Sequence, residues 1–553
     1  VAVKELPLSY SYDKQRFPQF SPADIANWYA VEAPTGKKQK ALYPVMGRRH
    51  VQQGNQQILD FDIQPRKLFK SISYSYVVVG STIYRIDVNF NVIIISDATF
   101  TQYNGNLNFA FLPTTQIVNV DTPSINNQYV FCAWVDGNNM FIYNEATNVF
   151  AKVTDQRMQP FPSTVAAFGN RFVIGSTNST QFQLTQINLG QTFTPATVFS
   201  FGIDPDYTTV FAQESGLIRQ MAVLHNNLYI FTDYTTGIWS NTQSTVSTSI
   251  GGSTVTASFP WKKNTSYDFD YGIADPNSLD IDFGMLVWLA QNRNGLVQFM
   301  SSNGQSPQPI STQAINVLIQ KIATLSETQS LLNLDTVGFL YQYEDTIFYR
   351  VSIGPYIDYA TLDNISLAVC LEYNFNTQTW GRCIEQNGQR NRIEDHVFFA
   401  NKHLVTAINQ TFVFEMSGVF YTNEVQKITQ TTSTIEEHPF RYEMVTPIIA
   451  NTDYSEFITD YVQIDFVWGD GEITTSVMEN PHVELYFSDD GGISFTSVDS
   501  LQFSNLGIYS WRMRWYQCGP SRNRVYKLIC VSKYPIVILG AIMDVRHASG
   551  GAN

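Results

Sequence analysis

The chain has 553 residues, 44% of them hydrophobic and only 15% charged, with 34 basic against 48 acidic side chains and a formal net charge of −14. That balance argues against a sequence-reading nucleic-acid module, since such modules are basic, while the apolar share is ample for sizeable cores in two or more domains. Thirty Tyr and 38 Phe among many amide and hydroxyl residues suit a β-rich assembly protein more than a helical enzyme.

Residues 1–70 read as an irregular N-terminal extension carrying the first strands. Prolines in Leu6-Pro7-Leu8 and in Phe17-Pro18-Gln19-Phe20-Ser21-Pro22 are incompatible with a central strand, and Asn27 to Ala33 begins the first clear one. Lys37-Lys38-Gln39-Lys40 and Arg48-Arg49-His50 flank Leu42-Tyr43-Pro44 as a small basic patch. Such a patch reads as a solvated loop before it reads as a binding site.

Residues 71–430 carry a recurring phrase: an apolar run, a short polar or glycine turn, and a second apolar run. In its clearest copy Met221 to Leu224 meets a turn at Asn226-Asn227, followed by Leu228 to Phe231 and a further strand opening at Ile238-Trp239. Asn tolerates the left-handed backbone of a tight hairpin, and β-branched and aromatic flanks favour strands. Copies occur at Tyr76 to Asp87 around Gly80-Ser81, Val130 to Tyr143 around Gly137-Asn138-Asn139, and Ala166 to Ser176 around Gly169-Asn170. Others lie at Met285 to Met300 around Asn294-Gly295, Phe339 to Val351 around Glu344-Asp345, and Val397 to Ala407 around Asn401-Lys402. Weak copies about 35–60 residues apart predict a radial all-β array, a β-propeller of six or seven blades. The Ser/Thr-rich stretch from Thr242 to Ser253 reads as an exposed insertion. Thr312 to Leu332 is the one helical pattern, with Ile315, Leu318, Ile319 and Ile322 on one face and Thr312 as N-cap.

The polar run Gln430 to Glu437 predicts a boundary, and residues 431–553 then alternate as a C-terminal β-sandwich domain. Its strands are Tyr461 to Trp468, His482 to Phe487, and Ile536 to Val545 around Gly540. Within this region Arg512, Arg514, Arg522, Arg524 and Lys527 concentrate positive charge among Trp511, Trp515 and Tyr516. The segment suits an Arg- and aromatic-rich contact with protein or nucleic acid, or a solvated loop.

Catalytic chemistry finds few parts. GxGxxG, Walker, HExxH and GxSxG patterns are absent, so no cofactor, metal or catalytic residue is expected. His396 and His403 sit on neighbouring predicted strands without a third ligand. The pairs Asp204/Asp206 and Asp280/Asp282 could serve acid–base work on a sugar, yet arise freely in turn-rich acidic chains. Five widely spaced cysteines read as reduced, buried thiols. No signal-peptide pattern follows Val1, and no apolar run approaches the ~20 residues of a bilayer span, so no membrane insertion is expected. Ser488-Asp489-Asp490-Gly491-Gly492-Ile493-Ser494-Phe495 resembles the Asp-box of sialidase-like propellers, with Ser494 and Phe495 where Thr and Trp are usual. That resemblance implies a structural hairpin turn.

A wider likeness rests on Leu6-Pro7-Leu8, on Phe172 to Thr177 leading to Phe182, and on Tyr229-Ile230-Phe231 leading to Gly237-Ile238-Trp239. It continues through Tyr271-Gly272-Ile273-Ala274, Gly295 to Phe299, Gln308 to Ile315, and Arg522 to Leu528 with Pro535 to Gly540. In these blocks the chain resembles the packaged-DNA stabilisation proteins of short-tailed phages, the P22-type tail accessory factors of the tail hub or nozzle. The resemblance implies a homo-hexamer below the portal-adaptor (head-to-tail connector) protein, around the DNA channel. It further implies contacts with a tail needle or plug and with tailspike or fibre proteins, transient non-specific contact with genomic DNA, and a place in the virion tail. The competing expectation is a glycan-binding or glycan-hydrolysing propeller on the virion surface.

Overall fold

The computed structural model describes residues 2–33, 39–53, 56–57, 59–96, 100, 107–115, 128–169, 171–185, 194–199, 207–209, 216–241, 246–250, 253–257, 261–264, 268–325, 336–354, 368–428, 433–468, 481–503 and 511–547. Lys37, Lys38, Asp204 and Asp206 lie outside these residues, as do positions 326–332 of the expected helix.

Each of the seven sequence copies falls in its own antiparallel unit, the last two being linked into one larger sheet, and among the described residues these units form seven blades of a β-propeller. Blade 1 comprises Pro65–Lys70, Ser75–Val79, Thr82–Ile86 and Val92–Ser96; blade 2, Asn108–Thr115, Gln128–Val135, Met140–Asn144 and Val149–Lys152. Blade 3 comprises Pro162–Phe168, Arg171–Ser176, Gln181–Leu184 and Tyr207–Thr209; blade 4, Ile218–Leu224, Asn227–Thr232, Thr236–Asn241 and Trp261–Lys263. In blade 5 the inner strand is split, Gly272–Ile273 and Asp280–Asp282 both pairing with Met285–Gln291, before Val297–Ser302 and Gln308–Pro309. Blade 6 comprises Val337–Tyr343, Thr346–Ile353, Val369–Asn374 and Thr379–Arg382.

Blade 7 closes the ring. Its strands Ile393–Phe399, Lys402–Ala407 and Val413–Ser417 are completed by Gly47–His50 from the other end of the chain, Phe414 pairing with His50 and Ser417 with Gly47. The basic patch Arg48-Arg49-His50 is therefore a corrected expectation: it is a ladder strand and not a solvated loop. Arg48 is 0% exposed, its guanidinium 2.7 Å from Glu385 and 3.3 Å from the Asn391 side-chain oxygen.

Apolar faces hold the blades together. Tyr76, Val78 and Ile83 pack on Cys132, Trp134 and Tyr143, and an equivalent cluster fills each successive gap round to Val397, Leu404 and Val413 against Leu68, Val77 and Ile86. Fully burying each such aliphatic or aromatic side chain contributes about 1.5–3 kcal/mol. The helix Gln313–Leu325, with Thr312 Oγ1 accepting the Ile315 N–H at 3.4 Å, inserts Ile315, Leu318, Ile319 and Ile322 between blades 5 and 6. The expected insertion in blade 4 contains a hairpin, Val246–Ile250 with Ser253–Ala257.

Two turns sit one residue earlier than the sequence suggested. Leu224 pairs with Asn227 and Phe399 with Lys402, so His225-Asn226 and Ala400-Asn401 form the loops. All four have positive φ (47°, 60°, 48° and 61°), the type I′ geometry that suits the twist of the flanking strands.

The terminal sandwich is not confined to residues 431–553. One sheet joins Trp511–Ser521, Phe457–Trp468 and Ile536–His547 to Lys40–Pro44, Trp28–Glu32 and Ala2–Glu5 from the N-terminus. The other contains Ser433–Val445, Asn523–Ser532, His482–Ser488 and Thr496–Gln502. Trp28, Tyr442, Ile464, Leu485, Trp515 and Leu528 belong to the core between them. Nor do residues 433–437 form a linker. They open the strand Ser433–Val445, paired with Thr422–Ile428, and polarity there goes with residues 434 to 437 being exposed or half-buried.

Asp24–Ala26 welds the two bodies by pairing with Ser433–Val445 on one side and with Arg382 of blade 6 on the other. The Asn27 side chain donates to the carbonyls of Ile384 (2.8 Å) and Arg441 (2.9 Å) and accepts the Ile384 N–H at 3.0 Å.

Candidate functional site

The basic, aromatic segment predicted as a contact surface runs along Trp511–Ser521, the edge strand of one sandwich sheet, and crosses at Arg522 to Asn523–Ser532 in the other sheet. Strand alternation divides the candidates. Trp515 points inward and is 1% exposed within the sandwich core, which corrects its assignment to an interface.

Arg524 is corrected too, being 1% exposed. Its Nε donates to Asp489 Oδ1 at 2.7 Å, its terminal nitrogens reach the carbonyls of Cys518 and of Pro520 (2.8 Å), and its plane lies 4.3 Å from the Phe487 ring centre. A guanidinium has five donors in a fixed fork, and here they fasten one turn to another.

That second turn is the Asp-box-like segment. Ser488 Oγ donates to Asp490 Oδ1 at 2.6 Å, while Asp490 accepts the N–H groups of Ile493 and Ser494 at 2.9 and 3.0 Å. The Ser488 and Ser494 bonds, with these backbone donors, hold the Asp490 carboxyl well below the usual range. Gly491 and Gly492 have φ of 80° and 88°, and a Cβ on either would lie 2.8 Å from Gln19 Cα or 2.9 Å from Pro22 Cβ. The turn thus clamps the N-terminal loop as well as Arg524, as a structural hairpin would.

Outside remain Arg512, Arg514, Arg522 and Tyr516. Arg512 Nε is 3.0 Å from Asp465 Oδ1, and Arg514 Nε is 2.6 Å from Gln463 Oε1 with its plane 5.0 Å from the Tyr461 ring centre. Arg522 is exposed where the chain crosses from one sheet to the other, Lys527 is half-buried 5.7 Å from the Phe495 ring centre, and Tyr516 is 60% exposed. An edge strand bearing two ordered arginines and an exposed tyrosine can accept another strand or a protein surface.

The propeller axis is the other place where function could reside. Its inner strands are stitched blade to blade: Asp395 accepts the Leu68 N–H at 2.6 Å, Asn108 that of Val165 at 3.2 Å, Thr164 that of Met221 at 3.1 Å, and Asp280 that of Leu340 at 2.6 Å. Burial pushes the Asp280 carboxyl up to about 6 against these bonds, with Asp282 and Asp395 adding to the rise. Burial raises Asp395 as well, opposed chiefly by Lys67. Asp280 is thereby committed to a bond between blades 5 and 6, while Asp282 accepts the Phe283 N–H at 2.8 Å.

His396 Nε2 and His403 Nδ1 lie 3.0 Å apart. Among the described residues no group of three or more His, Cys, Asp or Glu could hold a metal ion, and no helix is long and apolar enough to cross a membrane. The five cysteines are buried and unbridged.

Seven radial four-stranded units closed by a strand from the opposite terminus define a β-propeller protein. No protein-family model and no curated protein sequence matches the chain. Solved structures that it resembles include the Neurospora crassa Pan2 WD40 domain, at 7% identity and TM-score 0.33 over 68% of this chain and 94% of that one. The crystal structure of the Mitotic Checkpoint Complex matches at 9% identity and TM-score 0.35, over 70% and 94% respectively. At such scores the sheet topology, and not the likeness, defines the class.

Proposed function

We propose that the chain is a structural subunit of a short phage tail, assembling as a hexameric hub or nozzle around the DNA channel below the portal-adaptor, retaining the packaged genome and releasing it on ejection. The observation that carries this reading is the architectural part played by the blocks that resemble the P22-type tail accessory factors. Gly272, in Tyr271-Gly272-Ile273-Ala274, lies so close to blade 4 that a Cβ would collide with the Thr232 carbonyl and Asp233. In Gln308 to Ile315, the Ile310 carbonyl accepts Trp380 Nε1–H at 2.7 Å, and Thr312 caps the inserted helix. Residues that set blade spacing suit a part whose work is to keep its shape.

The sharing of one sandwich sheet by strands from residues 2–44 and 457–547 supports the reading further, because a conduit under genome pressure must hold its shape. Asp280 and Asp395 are committed to bonds between blades, so an acidic lumen that lets DNA pass with little adhesion would draw on other carboxylates. Negative-stain imaging of the purified protein, alone and mixed with portal–adaptor complexes, tests the proposal. Closed sixfold rings are expected on the adaptor; a monomer that neither forms rings nor binds it would overturn the reading.

A further inference from the structure

A groove of about 460 Å³ opens beside blade 3, lined by Gln156 to Phe161 and by Ser176, Asn178, Ser179 and Gln181. The first segment runs from the outer strand of blade 2 to the inner strand of blade 3, and the second joins the middle strands of blade 3. Antiparallel alternation puts both connections on the same face of the propeller. The volume falls within the ~300–1,000 Å³ of small-molecule sites.

Its walls are fixed in place. Asp155 accepts the Arg157 Nε–H at 2.9 Å and the Phe199 N–H at 3.0 Å. Buried Gln183 accepts the Gln159 N–H at 2.9 Å and donates to the Arg157 carbonyl at 2.7 Å, and Ser176 Oγ donates to the Pro160 carbonyl at 2.6 Å. Arg157 is paired with Asp155 at 2.6 Å, which leaves the groove without net charge.

Two features are unexplained by folding. Phe161 adopts φ 58° and is 49% exposed, an unfavourable backbone conformation for a bulky residue whose ring leaves the core. Buried Gln159 keeps its side-chain carbonyl oxygen without a hydrogen-bond partner among the described residues, against the strong tendency of buried polar atoms to be satisfied.

We propose that this groove binds a neutral oligosaccharide. The electron-rich face of Phe161 suits the C–H face of a pyranose ring. Exposed amides at Gln156, Asn178 and Gln181 offer paired donors and acceptors that match sugar hydroxyls, and the balanced charge disfavours sulfated or sialylated chains. This site is independent of the hexameric reading.

The test is saturation-transfer NMR and calorimetry on the full chain with malto-, cello-, manno- and chito-hexaose, using a sulfated hexasaccharide as control. At least one neutral probe is expected to bind, at least tenfold tighter than the sulfated one. Phe161→Gly removes the ring and relaxes the left-handed backbone, so binding should weaken at least tenfold while the melting temperature holds or rises. Asn178→Ala with Gln181→Ala should weaken binding several-fold with stability unchanged. Absence of binding to every neutral probe, preference for the sulfated one, unaltered binding by Phe161→Gly, or a lowered melting temperature in that variant would each overturn the site.

Discussion

The propeller and the sandwich are both antiparallel β structures, yet they are assembled in opposite ways. A blade such as 2 or 4 folds from one continuous stretch, its strands paired through turns with their chain neighbours. The sandwich and the closing strand of blade 7 join the two ends of the chain: Trp28 Nε1–H donates to the Ile536 carbonyl at 2.7 Å, and His50 pairs with Phe414. Blades repeat a local solution, while the sandwich records a global one. The sandwich and the ring's last seam should therefore share a fate, and the blades far from them should not.

Deleting residues 1–50 strikes that seam hardest, since it removes the closing strand of blade 7 and three strands of one sandwich sheet. No cooperative thermal transition is expected from the truncated chain by circular dichroism. A chain of residues 51–553 that melts sharply would show that the ring closes without its N-terminal strand.

Single buried arginines separate the two bodies more finely. Burial alone would raise Glu385, but Arg48 beside it and the Arg392 N–H outweigh burial and hold its pKa below the ordinary value. Arg48→Ala leaves that carboxylate buried without its ion-pair partner, holding only the Arg392 N–H and the Asn423 amide, at a cost of about 3 kcal/mol. Arg524→Ala should cost less, about 1–3 kcal/mol, because it orphans carbonyls while Asp489 remains half-exposed to water. Urea unfolding of both variants checks the order. If Arg524→Ala proved the more damaging, the sandwich and not the seam would limit stability.

Acid should act between blades 6 and 7. Burial, with Arg350 nearby, pushes His403 down to about 4, the Gln342 backbone opposing; burial, His403, Lys70 and Arg350 drive His396 down as well. Both stay neutral when folded but titrate near 6.5 when unfolded, so the unfolded chain binds more protons below that pH. Stability is intact above pH 6.5 and falls towards pH 4, by at most about 1.4 kcal/mol per pH unit for each histidine. Asp280 works oppositely: its folded pKa of about 6 exceeds the ordinary carboxylate value, so its contribution is present in acid and lost as pH rises to 6. Urea midpoints from pH 7.5 to 4.5 should fall, and Asp280→Asn should steepen the fall. A flat profile would mean that the histidine pair is open to water.

The same contrast explains what was legible in the sequence. Seven apolar–turn–apolar copies announced six or seven blades because each hairpin is local, and the helix appeared because its apolar spacing is local too. Arg48-Arg49-His50 looked like a charged loop, since the partners that make it a strand lie on Val413–Ser417 and at Glu385 and Glu424. Arg524 and Trp515 looked like a sticky surface for a related reason. Composition places charge and aromatics together, and only pleat direction and the position of Asp489 decide which side chains face inward.

Arg512 and Arg514 carry the smallest expected change in stability and the sharpest test of what the sandwich is for. Both lie on the solvent face of an edge strand, held by Asp465 and Gln463 at positions where a surface pair contributes under about 1 kcal/mol. The double change Arg512→Ala, Arg514→Ala should leave urea unfolding within about 0.5 kcal/mol of the parent. Desolvated at a subunit contact, the same arginines would matter far more, because interface hot spots favour Arg beside Tyr and Trp. If the proposed ring forms and the edge strand is its assembly surface, the double variant remains a folded propeller but fails to form rings on the adaptor. Normal rings from that variant would move the contact to another face, and the sandwich would then serve only to fasten the two ends of the chain.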